Sequence, residues 1–263
     1  MTITLGADPE IFFVDKLDNF VSAIDKIGGS KEEPKSLGNG FFILEDNVAA
    51  EFNIPPADMF EAFDHNVETG IDFVAKFAIE NDLLLTPKAS GNFPSSQLEH
   101  YKALEFGCEP DFDAWELDIN DKPEAEDSSF RTCGGHIHVG GVEGLDPHAI
   151  IRAMDLFLGV PSLVLDKDKE RRKLYGKAGA FRYKPYGVEY RTLSNFWIWN
   201  TATRYWVWNA TNLAIEFVKV NGLIDAESQL ASKIRNSIND SDESGYYELV
   251  KLYPDISVEK LLT

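Results

Sequence analysis

The sequence predicts an α+β fold with one largely antiparallel sheet, and two observations favour it. Segments of strand character fill the first 55 residues and return at 83–86, 130–140 and 186–193. Helical periodicity lies between and after these segments, without the regular alternation of strand and helix that α/β proteins show. No repeat and no Pro/Ser-rich linker divides the chain, so we expect residues 1–263 to form a single domain.

The early strands are separated by turn-forming residues. Residues 11–14 and 20–24 are predicted to pair as a hairpin. Residues 41–44 and 48–54 form a second predicted pair, joined by the polar turn 45–47. Pro55-Pro56 ends this pair because proline has no N–H to donate to a strand ladder.

The predicted helices show an apolar period of three and four residues. Over 58–82 this period produces one apolar stripe, formed by Phe60, Phe63, Val67, Ile71, Val74 and Phe77. Asp146 as N-cap and Pro147 at the first helical position predict a helix that reaches 165, with a kink or break at Pro161. Residues 201–220 and 226–238 are also predicted to be helical.

The chain is strongly acidic, with 44 acidic and 25 basic residues and a formal net charge of −19. Such a field repels nucleic-acid backbones and anionic lipid, so neither is an expected partner. Much of the excess lies in a loop-rich insertion at about 109–129, which we interpret as a solvated surface, with a lid or partner contact as the alternative. No signal peptide or membrane-spanning run is apparent, so a cytoplasmic location is expected.

Four strand segments carry polar side chains at positions i and i+2, which face the same way from a strand. The intervening residues are mostly apolar, so the opposite face of the sheet is predicted to be buried. The pairs are Asp8 with Glu10, Glu51 with Asn53, His136 with His138, and Glu189 with Arg191. Any one pair is typical of a solvated surface, but four of them predict a site if the strands are neighbours.

These side chains indicate metal-assisted phosphoryl transfer. Carboxylates suit Mg²⁺ or Mn²⁺, and an imidazole favours Mn²⁺ somewhat. Arginine offers a planar fork that matches phosphate oxygens. The segment 169–185 holds seven of the 25 basic residues directly before Glu189, and it could supply further cations to a polyphosphate or simply be a solvated charge run.

The motifs resemble those of a known superfamily. Residues 6–13, with Asp8-Pro9-Glu10, resemble the acidic first strand of the glutamine synthetase superfamily. Residues 135–138 resemble its histidine strand, and 189–191 its late Glu-x-Arg strand, in the same chain order. Within the superfamily, the chain is most similar to the small phage-type carboxylate–amine ligases, also called amidoligases.

The resemblance implies a curved antiparallel half-barrel with helices on its outer face, as in the glutamine synthetase catalytic domain. It also implies an ATP-dependent ligase that phosphorylates a carboxylate and lets an amine attack the acyl phosphate, with ATP and Mg²⁺ (or Mn²⁺) as cofactors. The implied partners are small-molecule or peptide carboxylates and amines. The chain has no room for the N-terminal domain of glutamine synthetase, so a monomer or small homo-oligomer is expected, in a host cytoplasm if a phage encodes it.

The resemblance also implies site residues. Glu10 and Glu51 would hold one metal, with a third ligand unassigned, and Asp8, His136 and Glu189 would hold a second. The nucleotide would be bound by His138, Arg172, Arg182 and Arg191. Arg182, Arg191 and Glu51 would be the catalytic residues.

Other interpretations stay open. A guanidino kinase uses the same architecture but stops after phosphoryl transfer. A cupin-like metalloprotein would fit the spacing of His136, His138 and Glu143, and a non-enzymatic binding protein is the third alternative. The aromatic cluster at 196–208 is interpreted as core, with a stacking platform as the alternative.

Overall fold

The computed structural model describes residues 2–104, 111–121 and 126–261, and its centre is a large antiparallel sheet. Among these residues, eleven strands belong to that sheet and two form a separate ladder. The strands are β1 (Thr4–Val14), β2 (Phe20–Val21), β3 (Lys35–Gly38), β4 (Phe41–Asp46), β5 (Ala49–Asn53), β6 (Leu84–Thr86), β7 (Ser90–Asn92), β8 (Phe112–Asp113), β9 (Asp118–Ile119), β10 (Phe130–Thr132), β11 (Gly135–Gly140), β12 (Ala180–Lys184) and β13 (Gly187–Tyr190).

The strand order in the large sheet is β3-β4-β5-β1-β11-β13-β12-β8-β9, and every pairing is antiparallel. Strands β2 and β6 pair with the far end of β1. The end strands β3 and β9 are not paired with each other, so the sheet stays open rather than closing into a barrel. The predicted fold class, an α+β protein with an antiparallel half-barrel sheet, is confirmed.

The strands that carry the four polar pairs are neighbours, in the order β5, β1, β11 and β13. Their register brings polar residues opposite one another. Glu10 pairs with Glu51, Asp8 with His136, and His138 with Glu189. The site predicted from the sequence required these strands to be neighbours, and they are.

The helices supply the apolar layer against the sheet. They are α1 (Phe60–Glu80), α2 (Tyr101–Leu104), α3 (Pro147–Met154), α4 (Val160–Leu165), α5 (Thr201–Asn221), α6 (Gln229–Asn239), α7 (Glu243–Leu252) and α8 (Val258–Leu261). Helix α1 buries Phe63, Val67 and Val74 from the predicted stripe. Its Gly70 lies directly over β5, where a Cβ atom would come within 2.2 Å of the Phe52 ring. A side chain at this position would push the helix off the strand.

The second predicted helix begins as expected, since the Asp146 side chain accepts a hydrogen bond from the N–H of His148. A π-helical turn, Asp155–Gly159, separates α3 from α4 and lies just before Pro161. Proline lacks the N–H that would continue the α-helical ladder, which explains the predicted break. Over Pro147–Leu165 this segment is long and apolar enough to cross a membrane, but 83% of its apolar window is buried inside the protein, as in a core helix.

Two strand predictions were wrong in detail. Residues 130–140 do not form one strand, because β10 pairs with β7 in the separate ladder while β11 joins the main sheet. Strand β12 was missed, because its basic residues were interpreted only as a charge run. It lies beside β13 and aligns Arg182 with Glu189.

The acidic insertion is partly ordered into the sheet. Of the predicted loop at 109–129, residues 111–121 include the hairpin β8–β9, which adds to β12 at the sheet edge. Residues 109–110 and 122–125 lie outside the described residues. Within the stretch predicted to be loop-rich, the structure thus shows two strands of two residues each.

The aromatic cluster is core, as interpreted from the sequence. Trp197 and Trp206 are fully buried, and the Trp197 ring stacks on Phe63 of α1 at a centroid distance of 5.9 Å. The Trp197 indole also donates to the carbonyl of Gly135 at the start of β11, 3.0 Å away. These rings hold the helical layer against the site-bearing strands.

Candidate metal and phosphate site

One face of the sheet collects the acidic, histidine and arginine side chains of five adjacent strands. Because strand residues alternate between faces, Gly6, Asp8 and Glu10 of β1 share this face. So do His136 and His138 of β11 and Glu51 of β5. Strands β13 and β12 add Glu189 and Arg182, which are directly opposite one another.

Three side chains on this face converge as the Asp8 group: Asp8, His138 and Glu189. One ligand-type atom from each lies within 4.8 Å of the other two. His138 Nε2 is 3.0 Å from Asp8 Oδ2, and Glu189 is fully buried. Two carboxylates and an imidazole at this spacing can hold a divalent cation.

The Asp8 group has buried polar atoms that are not satisfied by hydrogen bonds. Among the described residues, Asp8 Oδ1, His138 Nε2 and Glu189 Oε2 have no partner with hydrogen-bond geometry, although cations or ion-pair partners lie near them. Buried polar atoms in native proteins are almost always satisfied. Each member of the group thus has one buried polar atom whose bonding capacity a ligand could complete, and the donor set fits Mg²⁺ or Mn²⁺.

The charges in the Asp8 group compensate one another. Burial raises the pKa of Asp8, but attraction to His138 and His136 outweighs it and holds that pKa well below its usual value. Burial and Asp8 raise the pKa of Glu189, but Arg191 and the two histidines lower it to about 2. Both carboxylates are therefore ionised at neutral pH.

A second convergence, the Glu51 group, consists of Glu10, Asp46 and Glu51, whose ligand-type oxygens also lie within 4.8 Å of one another. Asp46 is the last residue of β4 and supplies the third acidic group that the sequence left unassigned. Lys31 Nζ lies 2.8 Å from Asp46 Oδ1. The N–H of Gly134 donates to Glu10 Oε2 at 2.7 Å, which fixes the orientation of that carboxylate.

The Glu51 group has an excess of negative charge. Burial and repulsion from Asp8, Asp46 and Glu10 raise the pKa of Glu51 well above its usual value. Burial and Asp46 also raise the pKa of Glu10, against the attraction of His136. A divalent cation would relieve this repulsion, and an all-carboxylate set fits Mg²⁺.

Cations gather around Glu189. Arg191 makes an ion pair with Glu189 Oε1, and its Nε lies 3.4 Å from Asp111 Oδ2. Arg182 NH1 is 3.8 Å from the same Glu189 oxygen. Lys184, the last residue of β12, approaches the other oxygen, with 2.6 Å between Nζ and Oε2.

The two predicted histidines have different surroundings. His136 Nδ1 lies 3.2 Å from Asp8 Oδ1, 3.8 Å from Glu189 Oε1 and 3.3 Å from Arg191 NH1. His138 contacts the hydroxyl of Tyr186 through Nδ1, which leaves Nε2 facing Asp8. The geometry therefore places His138 in the Asp8 group, and the predicted metal ligand His136 lies beside the same two carboxylates.

Two cavities open onto this face, one at each side of the acidic groups. The larger cavity, of about 570 Å³, begins at Gly6 and His138 and has mainly apolar walls that include Phe42, Ile54 and Tyr186. The polar cavity, of about 420 Å³, begins at Glu10 and His136. Its walls also carry basic side chains, from Lys31, Lys102, Arg131, Arg171 and Arg191.

Most predicted site residues are brought together, and one is not. Arg172 donates through NH2 to Ser162 Oγ at 2.7 Å and lines neither cavity. Its neighbour Arg171 lines the polar cavity instead. Asp46 and Lys184 were missed, although Lys184 stands two residues after Arg182 and so faces the same way from β12.

Residues 126–243, less than half of the chain, match the family model described as phage phiEco32-like COOH-NH2 ligase-type 2. The predicted resemblance is confirmed. The description of that family agrees with the carbon–nitrogen ligase class predicted from the sequence, and the matched segment includes β11, β12 and β13 of the site. Strands β1 and β5 of the site lie before the matched segment.

The chain is also similar to solved structures. One is titled "GmaS/ADP complex-Conformation 1", with 11% identity, a TM-score of 0.48, and coverage of 99% of this chain and 67% of that one. Another, "Apo GmaS without ligand", has 12% identity, a TM-score of 0.42, and coverage of 99% and 68%. At such low identity and TM-score, neither structure tells what this chain binds. No curated protein is significantly similar to it in sequence.

The cupin-like alternative does not fit this structure. The sheet is open, whereas a cupin requires a closed barrel. Glu143, the third residue of the cupin spacing, is exposed in the turn after β11 and belongs to neither acidic group.

Proposed function

We propose that the chain is a single-domain ligase that joins a carboxylate to an amine at the expense of ATP, through an acyl phosphate. The observation that carries this proposal is the alignment of two acidic groups on adjacent strands with two arginines beside them. An acyl phosphate requires the transfer of a phosphoryl group, and its charge must be neutralised from several sides. The face described above supplies that neutralisation.

The Asp8 group and the Glu51 group would each hold one divalent cation, Mg²⁺ or Mn²⁺. Such cations supply Lewis-acid neutralisation of phosphate oxygens when they are bound. In this proposal His138 belongs to the metal ligands as well as to the nucleotide side. His136, held between Asp8 and Arg191, would orient both of them.

The two cavities would separate the substrates. The larger cavity has apolar walls and ends at His138, which suits a nucleoside whose phosphates point toward the Asp8 group. The polar cavity ends at Glu10, Asp46 and Arg191 and would admit the carboxylate and the amine. The substrate carboxylate would then reach the terminal phosphate of ATP between the Asp8 group and the Glu51 group.

The arginines would act on the transferring phosphoryl group. Arg191 is held by Glu189 on one side and lies near Asp111 on the other, so its fork is oriented before substrate arrives. Arg182 lies across the ladder from Glu189 and presents a second guanidinium. Glu51 would contribute to catalysis by holding its cation against the phosphate.

The experiment is a screen of carboxylates with the full chain, ATP, Mg²⁺ and hydroxylamine, with products identified by mass spectrometry. Hydroxamate together with ADP supports the acyl phosphate. AMP with pyrophosphate would instead indicate adenylation and contradict the proposal. In a parallel reaction with guanidino compounds in place of the carboxylates and hydroxylamine, ADP with a phosphorylated guanidine would show the guanidino kinase alternative.

A further inference from the structure

Lys184 also lies on this face, and the proposed function gives it no role. Its ammonium lies 2.6 Å from Glu189 Oε2, yet the contact lacks hydrogen-bond geometry, and Oε2 accepts no hydrogen bond from the described residues. Glu189 Oε1 is faced by Arg191 and Arg182 instead. Among the described residues that pair with Glu189, Lys184 is the basic side chain whose shortest contact is to Oε2.

Arg191 and Arg182 both make their shortest contact with Glu189 through Oε1 rather than Oε2. A cation held by the Asp8 group would use an oxygen of this buried carboxylate. A metal ion and the Lys184 ammonium cannot both contact the same carboxylate oxygen closely, because their positive charges repel each other at such a distance. The position of Lys184 thus conflicts with full use of Glu189 by a metal.

The location of Lys184 offers it a second partner. It is two residues after Arg182 on β12, so both side chains face the site. It is also two residues before Tyr186, which lines the larger cavity and contacts His138. Its side chain is 28% exposed, whereas that of Glu189 is fully buried, so Lys184 can turn toward the cavity and Glu189 cannot follow.

We propose that Lys184 competes with the metal ion for Glu189 and, after it leaves that carboxylate, binds the phosphates of the nucleotide in the larger cavity. This inference rests on the proposed function. Lys184 then couples the two ligands, because the loss of one contact is offset by the gain of the other. Metal and nucleotide would bind together more favourably than either binds alone.

The test is direct binding to the full-length Lys184→Gln variant. Mn²⁺ alone, titrated with electron paramagnetic resonance detection, should bind about fivefold more tightly than to wild type, since a partly exposed competing ion pair is removed. ADP titrated calorimetrically with saturating Mg²⁺ should bind about tenfold more weakly, since a phosphate contact is lost. These opposite changes are not expected from a side chain that only stabilises the fold.

Two further variants keep the test decisive. Lys184→Arg retains the charge and should keep both affinities within about twofold of wild type. Lys219→Gln removes an exposed lysine paired with Glu216 on α5 and should change neither. Weaker or unchanged Mn²⁺ binding by Lys184→Gln, or unchanged ADP binding, overturns the inference. A wild-type chain that binds neither Mn²⁺ nor ADP overturns the proposed function itself.

Discussion

Glu10 and Glu51 are direct cross-strand partners in the β1–β5 ladder, and both side chains are buried. Like charges directly opposite one another destabilise a sheet, so this pair is costly unless a proton or a cation lies between them. Burial raises the pKa values of both carboxylates, with added repulsion from Asp46 on Glu10 and from Asp8, Asp46 and Glu10 on Glu51. A cation bound between the two carboxylates would remove this repulsion, as the proposed function requires.

Removal of one charge from this pair should stabilise the metal-free protein. The pKa of Glu51 is raised in the folded state, so its contribution to stability is present at low pH and is lost as pH rises through the folded pKa. Glu51→Gln should therefore be more stable than wild type at pH 8 by about 1 kcal/mol, and the difference should vanish near pH 4. Urea unfolding in EDTA at the two pH values measures this.

Glu51→Gln should also be stabilised less than the wild type by a bound metal ion. Mn²⁺ should raise the melting temperature of wild type at pH 8 and raise that of Glu51→Gln less, because a ligand that binds only the folded state stabilises it. Equal increases for the two proteins would show that Glu51 does not hold the cation.

A buried carboxyl below the sheet gives a second pH dependence. Burial raises the pKa of Asp155 to about 7, although Trp115, Tyr190 and the Gly179 amide donate hydrogen bonds that oppose the rise. The folded pKa exceeds the unfolded one, so stability should fall as pH rises toward 7, by up to about 1.4 kcal/mol per pH unit, and should level off above 7. Asp155→Asn cannot ionise and should show a flatter profile between pH 6 and 8.

Urea unfolding of both proteins at pH 6, 7 and 8 checks this second dependence. The Asn variant keeps acceptors for the Trp115 indole and the Gly179 amide on its carbonyl oxygen, and the Tyr190 hydroxyl can reverse to accept from its amide. Parallel profiles for wild type and Asp155→Asn would assign the pH dependence to another group.

Arg191 should be required for phosphoryl transfer rather than for folding alone. Arg191→Lys keeps a positive charge but loses the planar fork, so we expect the rate of hydroxamate formation to fall at least about 100-fold. Lys219→Gln is the matched control at an exposed position and should keep the wild-type rate. An Arg191→Lys rate within threefold of wild type would remove Arg191 from the mechanism.

Close packing of α1 on β5 can be tested separately from the chemistry. Gly70→Ala should destabilise the protein by about 1–3 kcal/mol, because the new Cβ meets the Phe52 ring. Intrinsic helix propensity alone would give the opposite sign, since alanine is favoured over glycine by about 1 kcal/mol. Glu68→Ala, at an exposed position of the same helix, is the control for propensity, and chemical denaturation is the measurement.

The sequence predicted the strands that matter for the site because their signal is local. An i,i+2 pair such as His136 and His138 shows its shared face without any knowledge of the fold. Order along the chain could not show that β5, β1, β11 and β13 are adjacent, which depends on long-range pairing. The resemblance to a known family supplied that step.

The site residues missed from the sequence have positions that depend on strand pairing rather than on the local sequence pattern. Asp46 was interpreted as part of a turn, and only the β4–β5 register brings it to Glu51. Lys184 was hidden in a run of basic residues, where β12 was not recognised as a strand. The family resemblance assigned His136 to a metal and His138 to the nucleotide, whereas both rings lie within 3.2 Å of Asp8, a proximity that depends on side-chain rotamers.

The most direct test of the central claim is the number of Mn²⁺ ions bound per chain in the presence of a non-hydrolysable ATP analogue. The wild-type chain should bind two ions. Asp46→Asn and Glu189→Gln should each lose one of them and retain the other, because they remove ligands from different groups. A wild-type chain that binds no Mn²⁺, or two variants that both retain two ions with unchanged affinity, would contradict the account.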